Sequence, residues 1–462
     1  MCLKNRSRTH AWYARALTIR TALIGTIIVA CQSAQAQQPH EQTDSGAALD
    51  SLIAHAVAVS PAIRAAQARV DAARAKISPA GALPDPTLMA GIVNLPVARP
   101  SFTSDGMTMK IVGVGQTIPF PGKLAARRRP VELEANTAAV ALDTVRLAVA
   151  RSVKSAYYEL AYLDHAITIV KQNEQVLGEV AATVQSHYSV GTGGQPDILK
   201  TRIAAAQLGE TANALIEQRQ ATLAALNAAL DQPSDTPIKN PDFPTSLTRY
   251  AVSEDTRRIR FVANTLGAPA ADSPLPSLAQ LQATAAVHNP GLRVHEAMIA
   301  SQAARVELAQ TEYKPDLDVS VQYGQRAGLP DMVTALVSIP LRLHKGAVQD
   351  QQVADARAEL AALRAEHESQ LNDVYATVAR LYSEIERNRT QLALYVRSIL
   401  PQGEAAVAST TASYQVGKVD LLTLLDSQTT LFSYQTAYYR ALADFGTAVA
   451  QLEQAVGQEV LK

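Results

Sequence analysis

The sequence predicts a mostly helical protein with a small β contribution, in which one unit (helix, two strands, long helix, tight turn, helix) is used twice. Three observations predict it: motifs that recur in order, an apolar period of 3.5 held over many turns, and two pairs of short segments with alternating polarity. Ser60-Pro61-Ala62-Ile63-Arg64 returns as Asn289-Pro290-Gly291-Leu292-Arg293. Ala73-Arg74 followed by Pro84-Asp85 returns as Ala304-Arg305 followed by Pro315-Asp316. Ile118-Pro119-Phe120 returns as Ile339-Pro340-Leu341, and Tyr188-Ser189-Val190-Gly191 as Tyr414-Gln415-Val416-Gly417. Four pairs in one order, offset by roughly 220–230 residues, mark an internal duplication.

The amino terminus comes first. Lys4, Arg6, Arg8, Arg15 and Arg20 precede a short apolar stretch from Thr21 to Ala30, and no acid occurs before Glu41. This is the layout of a secretory signal. Ala34-Gln35-Ala36 offers one cleavage site, whereas Ile28-Val29-Ala30-Cys31 resembles a loose bacterial lipobox, after which Cys31 would carry lipid. The signal is thus residues 1–36, or 1–30 if Cys31 is lipidated; a third reading makes Cys31 a filler within the signal. Export in either form leaves a mature chain with a formal charge near −5, because the signal carries five basic residues and no acid.

The first repeat is expected over 47–231 and the second over 278–457. Between them, 232–277 holds seven of the 23 prolines and reads as an irregular connector. Val149, Val153, Ala156, Leu160, Leu163, Ile167 and Val170 step by alternating fours and threes. Leu371, Val374, Val378, Leu381, Ile385, Asn388, Leu392, Tyr395 and Ile399 keep that rhythm with one polar interruption. Such a seam belongs to coiled-coil packing. Each long helix (Gly122 to His187, Gly346 to Tyr414) could reach ~100 Å. The flanking helices, about Leu49–Ser78 with Asp197–Leu230 and Leu278–Glu312 with Asp420–Val456, are each roughly half as long. Two of them stacked end to end would match one long helix and make a uniform helical wall.

Strands are expected at about 87–94, 108–118, 316–324 and 332–340. Leu317, Val319, Val321 and Tyr323 alternate with Asp318, Ser320 and Gln322, while Gly113 and Gly115 interrupt the second strand. Strands of this length with one apolar face suit a membrane barrel, and a half-buried soluble sheet is the plainer alternative. Four strands cannot close a barrel, since small barrels need about eight. Open edges cannot face lipid, because each unsatisfied backbone group there costs several kcal/mol. Strands in a membrane would therefore require several copies of the chain to share one barrel.

Composition removes other classes. Basic and acidic side chains number 42 each, and charged residues are only 18% of the chain, which excludes a polybasic nucleic-acid binder and a charge-rich disordered chain. Cys2 and Cys31 are the only cysteines, so neither a paired-cysteine zinc site nor a disulfide within the mature chain can form. No cofactor is implied. There is no nucleophile elbow and no Gly-rich phosphate loop, and no cluster of carboxylates stands with a metal-ligand histidine.

With the duplication, the paired Tyr-x-Val-Gly turns and the run Gln116-Thr117-Ile118-Pro119-Phe120-Pro121-Gly122-Lys123-Leu124, the chain resembles the TolC-like outer-membrane efflux factors. That run is similar to the CusC/CzcC-type heavy-metal branch. The likeness runs from about Leu49 to Gly457. It implies a homotrimer whose protomers each give four strands to one 12-stranded outer-membrane barrel, continued by an α-helical barrel through the periplasm. It also implies docking onto a periplasmic adaptor protein and an inner-membrane pump of the RND type, with heavy-metal cations as the favoured cargo and organic molecules as the alternative. The sequence departs from a strong barrel in its few aromatics, and its only Trp is Trp12.

Candidate working residues follow. The turns Val190-Gly191-Thr192-Gly193-Gly194-Gln195-Pro196-Asp197 and Val416-Gly417-Lys418-Val419-Asp420 each join two helices, with glycine closing one and aspartate opening the next. Asp197 and Asp420 read as complements to helix N-termini, and the two turns as the periplasmic tip that meets the adaptor. The resemblance places Asp426 among the acids that line a closed aperture, with Asp420 a second candidate and Thr423 where another acid can stand. Threefold symmetry would make each a ring that favours cations. At the barrel-to-helix junction stand Pro119, Pro121, Gly122, Lys123, Pro340 and Arg342; Lys123 and Arg342 read either as solvated charge or as anchors at the lipid boundary. Met107-Thr108-Met109 has the look of a soft copper site, but lipid contact explains it equally, and no metal site is assigned. A periplasmic adaptor would need β-rich domains around a single hairpin, and a soluble coiled-coil scaffold would leave the strands without purpose.

Overall fold

The computed structural model describes residues 45–251, apart from 99 and 240, and 275–461. The signal segment and Cys31 lie outside the described residues. Helices α1 (Ser45–Val59), α2 (Pro61–Ala75) and α3 (Ile77–Ala80) lead into strands β1 (Thr87–Val93) and β2 (Met109–Ile118). Helix α4 (Lys123–Ser189) and helix α5 (Gln195–Ala229) complete the first repeat, and α6 (Thr245–Ala251) lies in the connector. The second repeat runs α7 (Leu278–His288), α8 (Pro290–Thr311), β3 (Leu317–Arg326), β4 (Met332–Ser338), α9 (Gln349–Leu394), α10 (Leu400–Gln415) and α11 (Leu421–Val456).

Three expected helices are interrupted, each time at a proline. The segments before the strands break at Ser60-Pro61 and Asn289-Pro290. The residue before each proline has nearly the same backbone, φ −53°, ψ 123° at Ser60 and φ −57°, ψ 123° at Asn289, because the proline ring bars it from the helical region. The second long helix is broken by a π turn at Tyr395–Ile399, where the Leu400 N–H reaches Tyr395 O. Pro401 follows at once; it has no N–H for the carbonyl four residues back and its ring crowds that carbonyl, so the turn widens. Helix α4, 67 residues and ~100 Å long, is continuous.

The half-length helices meet end to end at those breaks. In the first repeat the Arg64 guanidinium lies 3.2 Å from the Asp231 carboxylate, just past the end of α5. In the second, Asn289 Nδ2 donates to Ala455 O at 2.7 Å, close to the end of α11. Gly457 ends α11 at φ +83°, and a Cβ there would sit 2.1 Å from His288 O, so only glycine permits this approach.

Both apolar seams are buried. Val153, Leu160, Leu163 and Val170 of α4 are fully covered, as are Val378, Ile385 and Leu392 of α9. Val153, Leu160, Val378, Ile385 and Leu392 share one core with Leu226 of α5, Leu230 just after it, Leu281 of α7, Leu292 of α8 and Phe445 and Leu452 of α11. The connector docks on it: the Phe243 ring stacks on Tyr158 and His165 with centroids 6.4 and 6.0 Å away.

The four strands form one antiparallel sheet in the order β1-β2-β3-β4, with Ala90 opposite Val112, Val112 opposite Tyr323, and Tyr323 opposite Val333. One face carries Leu88, Ile92, Val112, Val114, Val319, Val321, Tyr323, Val333 and Val337, with Lys110, Gln116 and Gln325 toward its two ends; the other is mixed, with Thr87, Thr117, Asp318, Ser320, Gln322, Thr334 and Ser338 beside Met89, Ile111 and Leu336. Leu88 is 78% exposed and Val333 70%, and both outer edges are unpaired. Gly113 does not interrupt β2. A Cβ there would lie 2.6 Å from Gln322 Cγ, so the glycine lets that side chain cross the ladder.

Candidate functional site

Both helix turns cluster at one end of the molecule. Gly191 (φ +79°) and Gly417 (φ +72°) are left-handed, as a helix-terminating cap requires. The bonding repeats: Gly191 N–H donates to Tyr188 O (3.1 Å) and Thr192 N–H to His187 O (2.9 Å), matched by Gly417 to Tyr414 (2.9 Å) and Lys418 to Ser413 (2.9 Å). A small apolar core of Leu177, Val180, Val184, Tyr414, Leu421 and Leu424 ties the two turns together. The His187 and Tyr414 rings lie 5.7 Å apart. Burial pushes the Tyr414 hydroxyl pKa up, and the Asp197 carboxylate adds to it. Val190 (69% exposed) and Val416 (67%) stand at corresponding places in the two turns. Between α4 and α5 nearby runs a cleft of about 430 Å³, floored by Gly178, Ala181 and Ala205.

The three aspartates at this end play different parts. Asp420 caps α11, accepting from the Thr423 N–H at 3.0 Å and from the Thr423 hydroxyl. The hydroxyl, then the N–H, and to a smaller extent Lys200 hold the Asp420 carboxyl below its ordinary range. Asp197 is not the corresponding cap: α5 begins earlier, with Gly194 in an extended conformation at the cap. Gly194 lies three residues beyond the left-handed Gly191, as Asp420 lies three beyond Gly417, so the capping place of the first turn is held by a residue with no side chain. Asp426 is exposed and makes no hydrogen bond or ion pair among the described residues. It shares an outward stripe with Leu422 and Thr429, whereas Leu421, Leu424 and Gln428 face the core. Six residues separate Asp420 from Asp426, so they sit ~9 Å apart along the axis and about 120° apart around it. They do not form one acidic cluster.

At the junction, Pro119 ends the β2 ladder after Ile118, where a proline cannot donate. Gly122, at φ +88°, then turns the chain into α4. Leu343 stands at the corresponding place in the second repeat, beyond Pro340, and α9 starts only at Gln349. Lys123 is not a lipid anchor. It is 1% exposed, 2.8 Å from Glu312 and 3.1 Å from both oxygens of Asp316. From the first position of α4 the ammonium pairs with acids of the opposite repeat. Arg342 also turns inward, toward Glu312 at 3.8 Å and Lys314 O at 3.4 Å. Asp316 further accepts from the Phe120 N–H at 3.1 Å. Burial raises the Asp316 pKa, but that N–H, Lys123 and Arg127 outweigh it, and the carboxyl ends below its ordinary value. Reading charge alone missed Glu312 and Asp316 as partners; the repeated Pro-Asp of Pro84-Asp85 and Pro315-Asp316 was the signal that pointed there. The Met107/Met109 pair also separates: β2 begins at Met109, and Met107 lies in the preceding loop, bonded through its carbonyl to Asn94 Nδ2. No group of three or more metal-binding side chains occurs among the described residues.

A sheet with one apolar face and open edges, continuous with the ~100 Å helix α4, defines a membrane channel subunit whose wall passes from strand to helix. The family model for outer membrane efflux proteins matches residues 52–232 and 281–458, and the chain belongs to that family. It is accordingly an outer-membrane efflux duct and not an enzyme. VceC from Vibrio cholerae shares the fold with a TM-score of 0.70 at 21% identity, over 90% of this chain and 97% of that one. CusC, studied for transmembrane channel formation, gives 0.70 at 15%, over 89% and 92%. The open state of the MtrE outer membrane channel of Neisseria gonorrhoeae gives 0.67 at 17%, over 89% of each. A search of curated proteins finds no match. Among the described residues no single helix is long and apolar enough to cross a membrane.

Proposed function

We propose that three copies of the chain close one 12-stranded barrel in the outer membrane and continue it as a helical tunnel into the periplasm, passing heavy-metal cations outward. The observation that carries this reading is the four-stranded sheet with two unpaired edges and an apolar face, which a bilayer admits only in a closed barrel. The tip formed by Val190, Gly191, Val416 and Gly417, with Asp197 and Asp420 beside it, would meet a periplasmic adaptor linked to an inner-membrane pump of the RND type. The small-residue cleft between α4 and α5 suits a helix of such a partner. Asp426, exposed and without a partner in one copy, would face the axis as a ring of three carboxylates, with Asp420 a weaker contributor because its charge is held by the cap. Before assembly the chain would lose residues 1–36, or be lipidated at Cys31 after loss of 1–30; the intact mass of the membrane form distinguishes these.

Metal cargo is supported by the Gln116–Leu124 run, and an organic cargo is the alternative. Deleting the gene and titrating growth against divalent metals and against hydrophobic drugs separates them. Selective loss of metal tolerance, restored by the full chain, is the expected result; selective loss of drug tolerance assigns the duct to organic molecules. Recovery of the chain from the soluble periplasm would favour a scaffold instead.

A further inference from the structure

We infer that β4 of one copy pairs with β1 of the next in a single register, with Val337 opposite Ala90 and Ala335 opposite Ile92. The inference rests on the three-copy barrel and specifies its seam. Side-chain parity comes first. Val337, Ala335 and Val333 lie on one face of the sheet with Leu88, Ala90 and Ile92, and directly opposed residues of neighbouring strands project to the same face, so the sum of paired residue numbers must be odd.

Strand tilt decides among the registers that remain. Following the ladder across one copy leads from Ala90 to Val112, Tyr323 and Val333. The closing step returns to β1 of the neighbour displaced by a fixed climb, and that climb sets the tilt. With a rise of about 3.4 Å per residue and strands about 4.8 Å apart, climbs of two, four and six residues per copy tilt twelve strands by roughly 20°, 35° and 47°. Membrane barrels tilt by about 35–45°, which selects four.

Two local features agree. A climb of four sets Thr334–Ser338 against Met89–Val93, five of the seven residues in each strand, whereas a climb of six leaves only three. A climb of four in the opposite sense would run β4 onto Pro84 and Pro86, which have no N–H to offer the ladder. The selected register also sets large against small, Leu336 over Gly91 and Val337 over Ala90. The structure already shows that arrangement between Gln322 and Gly113 in the interior of the sheet.

The test introduces cysteine pairs into the full chain: Val337→Cys with Leu88→Cys, Ala90→Cys or Ile92→Cys in turn. Directly opposed residues lie about 4.5–5.5 Å apart, within disulfide range, and diagonal ones about 7–8 Å apart, outside it. Single-cysteine variants control for pairing with Cys2 or Cys31. After mild oxidation of outer membranes, the Val337/Ala90 pair is expected to give covalent dimers and trimers at least fivefold more abundant than either neighbour. A maximum at Leu88 or Ile92 overturns the register, as does a heat-modifiable trimer in which none of the three pairs cross-links. Failure of every pair in a chain that sediments as a monomer in detergent sinks the three-copy barrel instead.

Discussion

Lys123 lies at 1% exposure with Glu312 and Asp316 closing on it from the other repeat. Removing this cation leaves the two carboxylates in a partly covered site with only the more distant guanidiniums of Arg127 and Arg342, at 3.7 and 3.8 Å. Lys123→Met is expected to cost about 3 kcal/mol, at the lower end of the penalty for breaking a buried pair because the acids are 29% and 21% exposed. Thermal unfolding of the purified channel, followed by loss of helical signal, reads this. The pH dependence follows from the depressed pKa of Asp316. Its contribution is present above the ordinary value of 3.8 and is lost as pH falls through the lower folded value. Wild type and Asp316→Asn should therefore differ in melting temperature at pH 5–7 and converge only well below pH 4. A gap that narrows between pH 7 and 5 would assign the effect to another group.

At the scale of elements, the two X-Pro breaks look alike in sequence but differ in their caps. The Asn289 side chain accepts from the Leu292 N–H at 2.9 Å and donates to Ala455 O, whereas Ser60 makes no side-chain cap bond. Asn289→Ala is expected to cost about 2 kcal/mol and Ser60→Ala under about 0.5 kcal/mol, measured by chemical denaturation of the detergent-solubilised protein. The left-handed glycines divide in the same way. A methyl at Gly417 meets open space, so Gly417→Ala should cost about 1 kcal/mol of backbone strain. Gly457→Ala drives a carbon onto the His288 carbonyl and should prevent stable assembly, seen as loss of the heat-modifiable band.

For the whole molecule, the outward stripe carrying Asp426 gains meaning only when copies surround an axis. Asp426→Ala should raise single-channel conductance in planar bilayers and weaken both cation selectivity and block by divalent ions, while Asp420→Asn should change them less. Unaltered conductance and block in Asp426→Ala would remove that residue from the constriction. Much of this architecture was legible in the chain itself. The fours and threes from Val149 to Val170 mark a seam whose members are buried apart from the half-buried Val149 and Ala156, and the alternation from Leu317 to Tyr323 marks a strand with two unlike faces. The site was less legible. Asp420 and Asp197 carry the same expectation, yet only Asp420 caps, because the place three residues after the left-handed glycine is taken by Gly194 in the first turn.

By itself the sequence determined the repeated unit, the seams, the alternating strands and the glycines at the turns. Each of these is a periodicity or a backbone constraint within a few residues, and local sterics write such features directly into residue order. Only the tertiary structure decided that Lys123 is enclosed, that Gly457 presses on His288, and that the half-length helices abut at Ser60 and Asn289. Those contacts join residues about 170 to 190 positions apart, whose meeting depends on how whole helices pack against one another, and no local pattern records it.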